Sequence, residues 1–258
     1  MQQIRSKSTE ANAYLSELKR PEAEDNVKWA SRALKDMKLH KRNDWSLIAL
    51  IGGIDVLSFR SRVAQSHLRN DMLPSYWSDA LFLRTGANAL SAATAINVPL
   101  LQPANGVFAS ETNGVVEQPF ARFADATNWP NIALIALPIS EEKVEQKITD
   151  FSQNRGALDA LEHIVRWLAF AWGVNAAPNP IHERTGLPSA CMLEAAFGVA
   201  GLDRTPGLET RASCPEAIWT AARHWHDYYV TMGKKSPIGR FVVGNTYEID
   251  DRKALPRP

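Results

Sequence analysis

A chain of 258 residues with 45% apolar and 22% charged side chains is long enough to bury one sizeable core and has an ordinary globular composition. Its 29 Lys and Arg balance 28 Asp and Glu, a net charge of +1, which argues against a field that draws in nucleic acid or an anionic membrane. Met1 to Lys7 leads into no apolar signal region, and the longest apolar run, Leu47 to Ile54, is far short of the ~20 residues of a membrane span. Cys191 and Cys214 have neither metal-knuckle nor disulfide-framework spacing. The expectation is one cytoplasmic domain with reduced thiols, no cofactor, no metal and no transmembrane segment.

In chain order, residues 9–41 read as helix, with Thr9 and Glu10 at its start and Leu15, Leu18, Trp29, Ala33 and Met37 as apolar contacts broken by Pro21. Its many charges suit an outer layer or a homo-oligomer arm. Ile54 to Phe59 reads as a strand after the Gly52-Gly53 break, and Arg60, Arg62 and Arg69 as a solvated face. Ala80 to Leu83 is a second strand. Val107 to Ala109 and Val115 to Glu117 flank Asn113-Gly114, a hairpin-turn dipeptide. Ile132 to Leu137 is a fully buried strand closed by Pro138.

Helices follow: one capped by Ser140 and running to about Gln153, a second on the stripe Leu158, Leu161, Ile164, Val165 and Leu168, a third from Pro188-Ser189, and a fourth from Pro215 to near Gly233. Strands before helices indicate an α+β fold, a small antiparallel sheet packed against helices. The boundaries are an N-terminal helical extension 1–43, a main domain 44–235 and a partly extended tail 236–258, within one structural domain.

Four segments occur in the order of a known family. Gly53 to Phe59 is similar to its opening Gly-Asp strand. Pro74-Ser75-Tyr76-Trp77-Ser78-Asp79-Ala80 resembles the segment leading its catalytic His into a strand. Val107 to Glu111, with Gly114-Val115-Val116 and Pro119, resembles a strand bearing an acidic residue. Pro188 to Phe197 resembles the helix that carries the nucleophile. Together, over residues 54–202, they resemble the circularly permuted papain-like (NlpC-type) hydrolases. The resemblance implies a thiolate activated by a helix start and an imidazole, with a polar third group. In this chain it places Ser189 at the nucleophile, Asp79 at the imidazole and Glu111 at the third position. It also implies a cleft for a small-molecule, peptide or lipid ligand, with Tyr76, Trp77 and His182 at its edge.

Read from the residues themselves, Ser189 is a helix N-cap after Pro188. Cys191 is a small buried residue, or an alternative nucleophile served by His182 or His163. Ser189, His182 and Asp79 or Glu111 supply the inventory of a rearranged triad. Asp79 and Glu111, which the resemblance puts on adjacent strands, form a general acid and base, hold a divalent ion, or are neutralised by Arg60 or Arg122. His224 and His226, at i and i+2, share no metal. Three expectations follow: a catalytically degenerate protein that binds a ligand in the former cleft; an active amidase, peptidase or lipid acyl hydrolase through Ser189 or Cys191; or an interaction subunit using its N-terminal helices.

Overall fold

The computed structural model describes residues 15–86, 89–103, 106–156, 158–202 and 207–245. Within them the protein is α+β, with six α-helices and a seven-stranded, mostly antiparallel sheet. The strands are β1 (Leu15–Glu17), β2 (Ser46–Gly52), β3 (Asp79–Arg84), β4 (Thr94–Asn97), β5 (Val116–Pro119), β6 (Asn131–Leu137) and β7 (Ile238–Val243), in the order β1-β7-β6-β2-β3-β4-β5. Only β1 and β7 pair in parallel. The near-continuous apolar runs of β2 and β6 follow from their place at the centre, where both sheet faces are covered.

The helices are α1 (Asn26–Asp36), α2 (Val56–Ala64), α3 (Glu141–Gln153), α4 (Ala160–Trp172), α5 (Pro188–Val199) and α6 (Pro215–Thr231). Alternation along each strand divides the core in two. Ile48, Leu50, Phe82, Ile96 and Ile135 pack with Ile148, Trp167, Phe197 and Trp219 of the α3–α6 layer. Leu47, Ile51, Leu81, Ala95 and Leu134 face the other way, onto Trp29, Ala30 and Ala33 of α1 with Phe120 and Phe123.

Several expectations are corrected. Residues 56–64 are helical because Asp55 accepts hydrogen bonds from the Ser58 amide at 2.9 Å and its hydroxyl at 2.5 Å, capping a helix instead of continuing a strand. Arg62 is fully buried, its Nε donating to the Ser75 carbonyl at 2.7 Å, so it belongs to no solvated face. Asn113 and Gly114 adopt positive φ, but the hairpin expected around them is absent: Val107 to Ala109 form no strand, and β5 pairs with β4. The N-terminal helix spans only Asn26–Asp36, and residues 1–14 lie outside the described set. The described parts of both chain ends, β1 and β7, lie side by side at one sheet edge.

Candidate functional site

The sheet ends at a cavity of about 320 Å³ that collects residues far apart in sequence. Its walls come from the start of α2 (Asp55, Leu57, Ser58), the loop after β4 (Val98 to Leu101), the turn after β5 (Arg122, Phe123), Trp129, and Leu187 to Ser189 at the start of α5. Asp79, the first residue of β3, stands beside Asn97, the last of β4, and Gln118 on β5. Leu81 and Ala95, which share strand phase with Asp79 and Asn97, face α1, so these polar groups continue that sheet face into the cavity.

The polar groups form one directed chain. Arg122 Nη1 donates to Gln118 Oε1 at 2.8 Å, Gln118 Nε2 donates to Asn97 Oδ1 at 3.0 Å, and Asn97 Nδ2 donates to Asp79 Oδ2 at 2.9 Å. An arginine that can only donate and a carboxylate that can only accept fix the orientation of both amides between them. Asp79 Oδ1 accepts from the Ala80 amide at 2.8 Å. Burial raises the Asp79 carboxyl to about 6, and hydrogen bonds from Ser189, Ala80 and Asn97 hold it below where burial alone would put it. Among the described residues no cation forms an ion pair with it.

Ser189 is the second residue of α5, one after Pro188, and Leu187 occupies the cap position, so Ser189 is not the N-cap. Its hydroxyl accepts from the Val98 amide at 3.1 Å and donates to the Val98 carbonyl at 3.0 Å. That pair of bonds ties α5 to the end of β4. A hydroxyl has one proton, and the Val98 carbonyl competes with Asp79 for it.

The other candidates sit elsewhere. Glu111 is exposed on the short 3-10 turn Ser110–Thr112, on no strand and away from the cavity lining, so it does not face Asp79. Asn97 takes the place beside Asp79 that was expected of Glu111. Arg60 is exposed and does not line the cavity; Arg122 does, but reaches Asp79 only through the two amides. Cys191 is completely buried, its thiol directed at the carbonyls of Arg211 and Ser213 at 3.3 and 3.5 Å. Burial pushes that thiol far up, and Cys214, equally buried, to about 12.

His163 lies against the Gly186 carbonyl through Nδ1 at 2.8 Å, and His182 stacks edge-on with His67, ring centres 4.6 Å apart. Neither lines the cavity. Trp77 is a core residue 5.2 Å from Trp219, and Tyr76 lies under the Arg69 guanidinium at 4.4 Å; both are outside the lining. Among the described residues no His or Cys lines the cavity, and no cluster of three His, Cys, Asp or Glu could hold a metal ion. No described helix is long and apolar enough to cross a membrane.

Sequence reasoning missed Asn97, Gln118, Asp55 and Ser58. The signal for the first two was a polar amide two residues after an apolar one, Ala95 before Asn97 and Val116 before Gln118, in the phase of each strand that faces α1, with Arg122 four residues beyond Gln118. Compared with known proteins, the chain matches no family model, no curated protein and no solved structure.

Proposed function

We propose that this is a ligand-binding protein built on a catalytically degenerate permuted papain-like domain, with the former active-site cleft as its binding cavity. The observation that carries the reading is the meeting of Asp79 and Ser189 in one cavity. These are the residues that the resemblance puts at the imidazole and nucleophile positions, from a strand start and a helix start distant in sequence. Nucleophilic acyl chemistry needs an activated nucleophile and a base that returns a proton to the leaving group. Here the serine hydroxyl is engaged by both backbone groups of Val98, the Asp79 carboxyl is already held by two amides, Asp55 caps a helix, and Cys191 is sealed in the core. The apolar walls and convergent polar floor are those of a small-molecule site.

An active hydrolase is the second reading, favoured by the Asp79 carboxyl lying near 6 beside Ser189. A fluorophosphonate probe with intact-mass readout separates the two. Binding without catalysis predicts no adduct on Ser189 in the native protein; a stoichiometric adduct lost in Ser189→Ala, with turnover of an acyl substrate lost in the same variant, would overturn it.

A further inference from the structure

The cavity contains a charge that the fold leaves uncompensated. Asp79 receives hydrogen bonds from Asn97 and Ala80, and the Ser189 hydroxyl, shared with the Val98 carbonyl, is a third donor beside it, yet no Lys, Arg or His among the described residues forms an ion pair with it. Asp79 is half-buried at the cavity, and a carboxylate taken even partly out of water without a counter-ion is costly, so folds ordinarily supply one or neutralise the group. Each carboxylate oxygen accepts more than one hydrogen bond, so the two amides leave Asp79 acceptor capacity toward the cavity it lines. The second carboxylate in the lining, Asp55, is committed to capping α2 through Ser58. Arg122, the cation in the lining, is exposed and spends Nη1 on Gln118, two amides away from Asp79.

Much of the rest of the lining is apolar and aromatic: Leu57, Leu100, Leu101, Phe123 and Trp129 stand around the polar groups, with the hydroxyls of Ser61 and Ser78 beside them. About 320 Å³ is near the low end of the ~300–1,000 Å³ typical of small-molecule pockets. That volume suits a single compact apolar group better than a two-chain lipid. A divalent ion calls for several free oxygen ligands, and the cavity offers one uncommitted carboxylate.

We propose that the ligand is a small organic monocation, a primary amine on a compact apolar or aryl body, whose ammonium group supplies the counter-charge of Asp79. The ammonium donates to Asp79 in a charge-assisted hydrogen bond. The body packs among Leu57, Leu100, Phe123 and Trp129, and the Arg122–Gln118–Asn97 chain holds the carboxylate in place. This inference rests on the binding reading above and names its ligand class.

The test is calorimetric titration of the full-length protein at about pH 7.5 with phenethylamine and hexylamine, against phenylethanol and phenylpropionate as neutral and anionic counterparts. Saturable binding of an amine, at least about tenfold tighter than either counterpart and weakened at least about tenfold in Asp79→Asn, is the expected result. The Asp79→Asn variant keeps the side-chain shape, and its melting curve establishes that it folds. Absence of binding by both amines, or equal binding to Asp79→Asn, would overturn the proposal. Preferential binding of phenylpropionate, with a change in indole fluorescence lost in Trp129→Phe, would also overturn it while leaving the cavity a binding site. Turnover of an acyl substrate lost in Ser189→Ala would instead overturn the binding reading.

Discussion

Asp79 is where sequence, stability and chemistry meet. Its carboxyl is raised from an ordinary 3.8 to about 6 chiefly by burial. For an acid raised in the folded state, the folded protein holds the proton more tightly than the unfolded chain, so stability falls as pH rises from about 4 to about 6 and stays reduced above. A shift of roughly two units corresponds to about 3 kcal/mol at most. Asp79→Asn, which cannot ionise, is predicted to melt higher than the wild type at pH 8, with the gain shrinking as the pH approaches 4.5; calorimetric melts across that range check it. Equal melting temperatures throughout would mean that the carboxylate is well compensated. Asp55 and Arg122, the other charged groups of the cavity lining, set the background that both proteins share. Cys191 makes a second prediction at this scale. Its burial and raised pKa mean that iodoacetamide labels it only after denaturation, by peptide mapping; rapid native labelling would reopen the thiol as a nucleophile.

The elements hold the site by a few close approaches. Gly52 ends β2, and a Cβ there would lie 1.9 Å from the Tyr76 carbonyl. That approach lets the chain before β3 run tightly enough for Ser78 Oγ to meet the Gly53 amide at 3.2 Å. Gly52→Ala is therefore predicted to cost about 3 kcal/mol or more in urea unfolding; a loss near zero would show that the segment moves aside freely. On the opposite wall, α1 braces the turn that carries Phe123 and Trp129. Asn26 donates to the carbonyls of both residues at 2.9 and 2.8 Å, and Arg20 reaches the Pro130 carbonyl at 2.8 Å.

How well the elements could be read from sequence follows from the same physics. β6 and α3 to α6 carried long, unambiguous apolar patterns and lie close to their expected positions. Ile54 to Phe59 looked like a strand because its residues are β-branched and aromatic, but one carboxylate cap on Ser58 decided for helix. β1 has three residues and β7 holds a Gly and an Arg, and both acquire their strand character from pairing with each other and with β6, which local pattern does not register. In the site, Asp79 and Ser189 were legible through the order of segments. Asn97 and Gln118 were not, since their role depends on how β3, β4 and β5 register beside one another. Glu111 was misplaced because Val107 to Ala109 form no strand and Glu111 follows them on the short 3-10 turn Ser110–Thr112.

On the scale of the whole molecule, the N-terminal segment, read as an outer layer or an oligomer arm, is a layer on one sheet face whose inner side joins the core. Trp29 is fully buried against the sheet, its indole nitrogen donating to the Leu18 carbonyl at 2.7 Å, and β1 lines the edge strand β7. A chain beginning at Arg42 is predicted to lose cooperative unfolding and to expose the face formed by Leu47, Ile51 and Leu134; circular dichroism melts check this. A truncated chain that melts like the full one would restore the segment as a detachable arm and revive its role as a partner-binding element.

The account turns on an ionisable Asp79 that faces an organic cation, and a ¹³C carboxyl titration of that residue by NMR, with and without phenethylamine, tests this most directly. The predicted result is a midpoint near 6 in the free protein that falls by at least about one unit when the amine is bound, as an adjacent positive charge requires. A midpoint at the ordinary carboxylate value, unmoved by the amine, would contradict it.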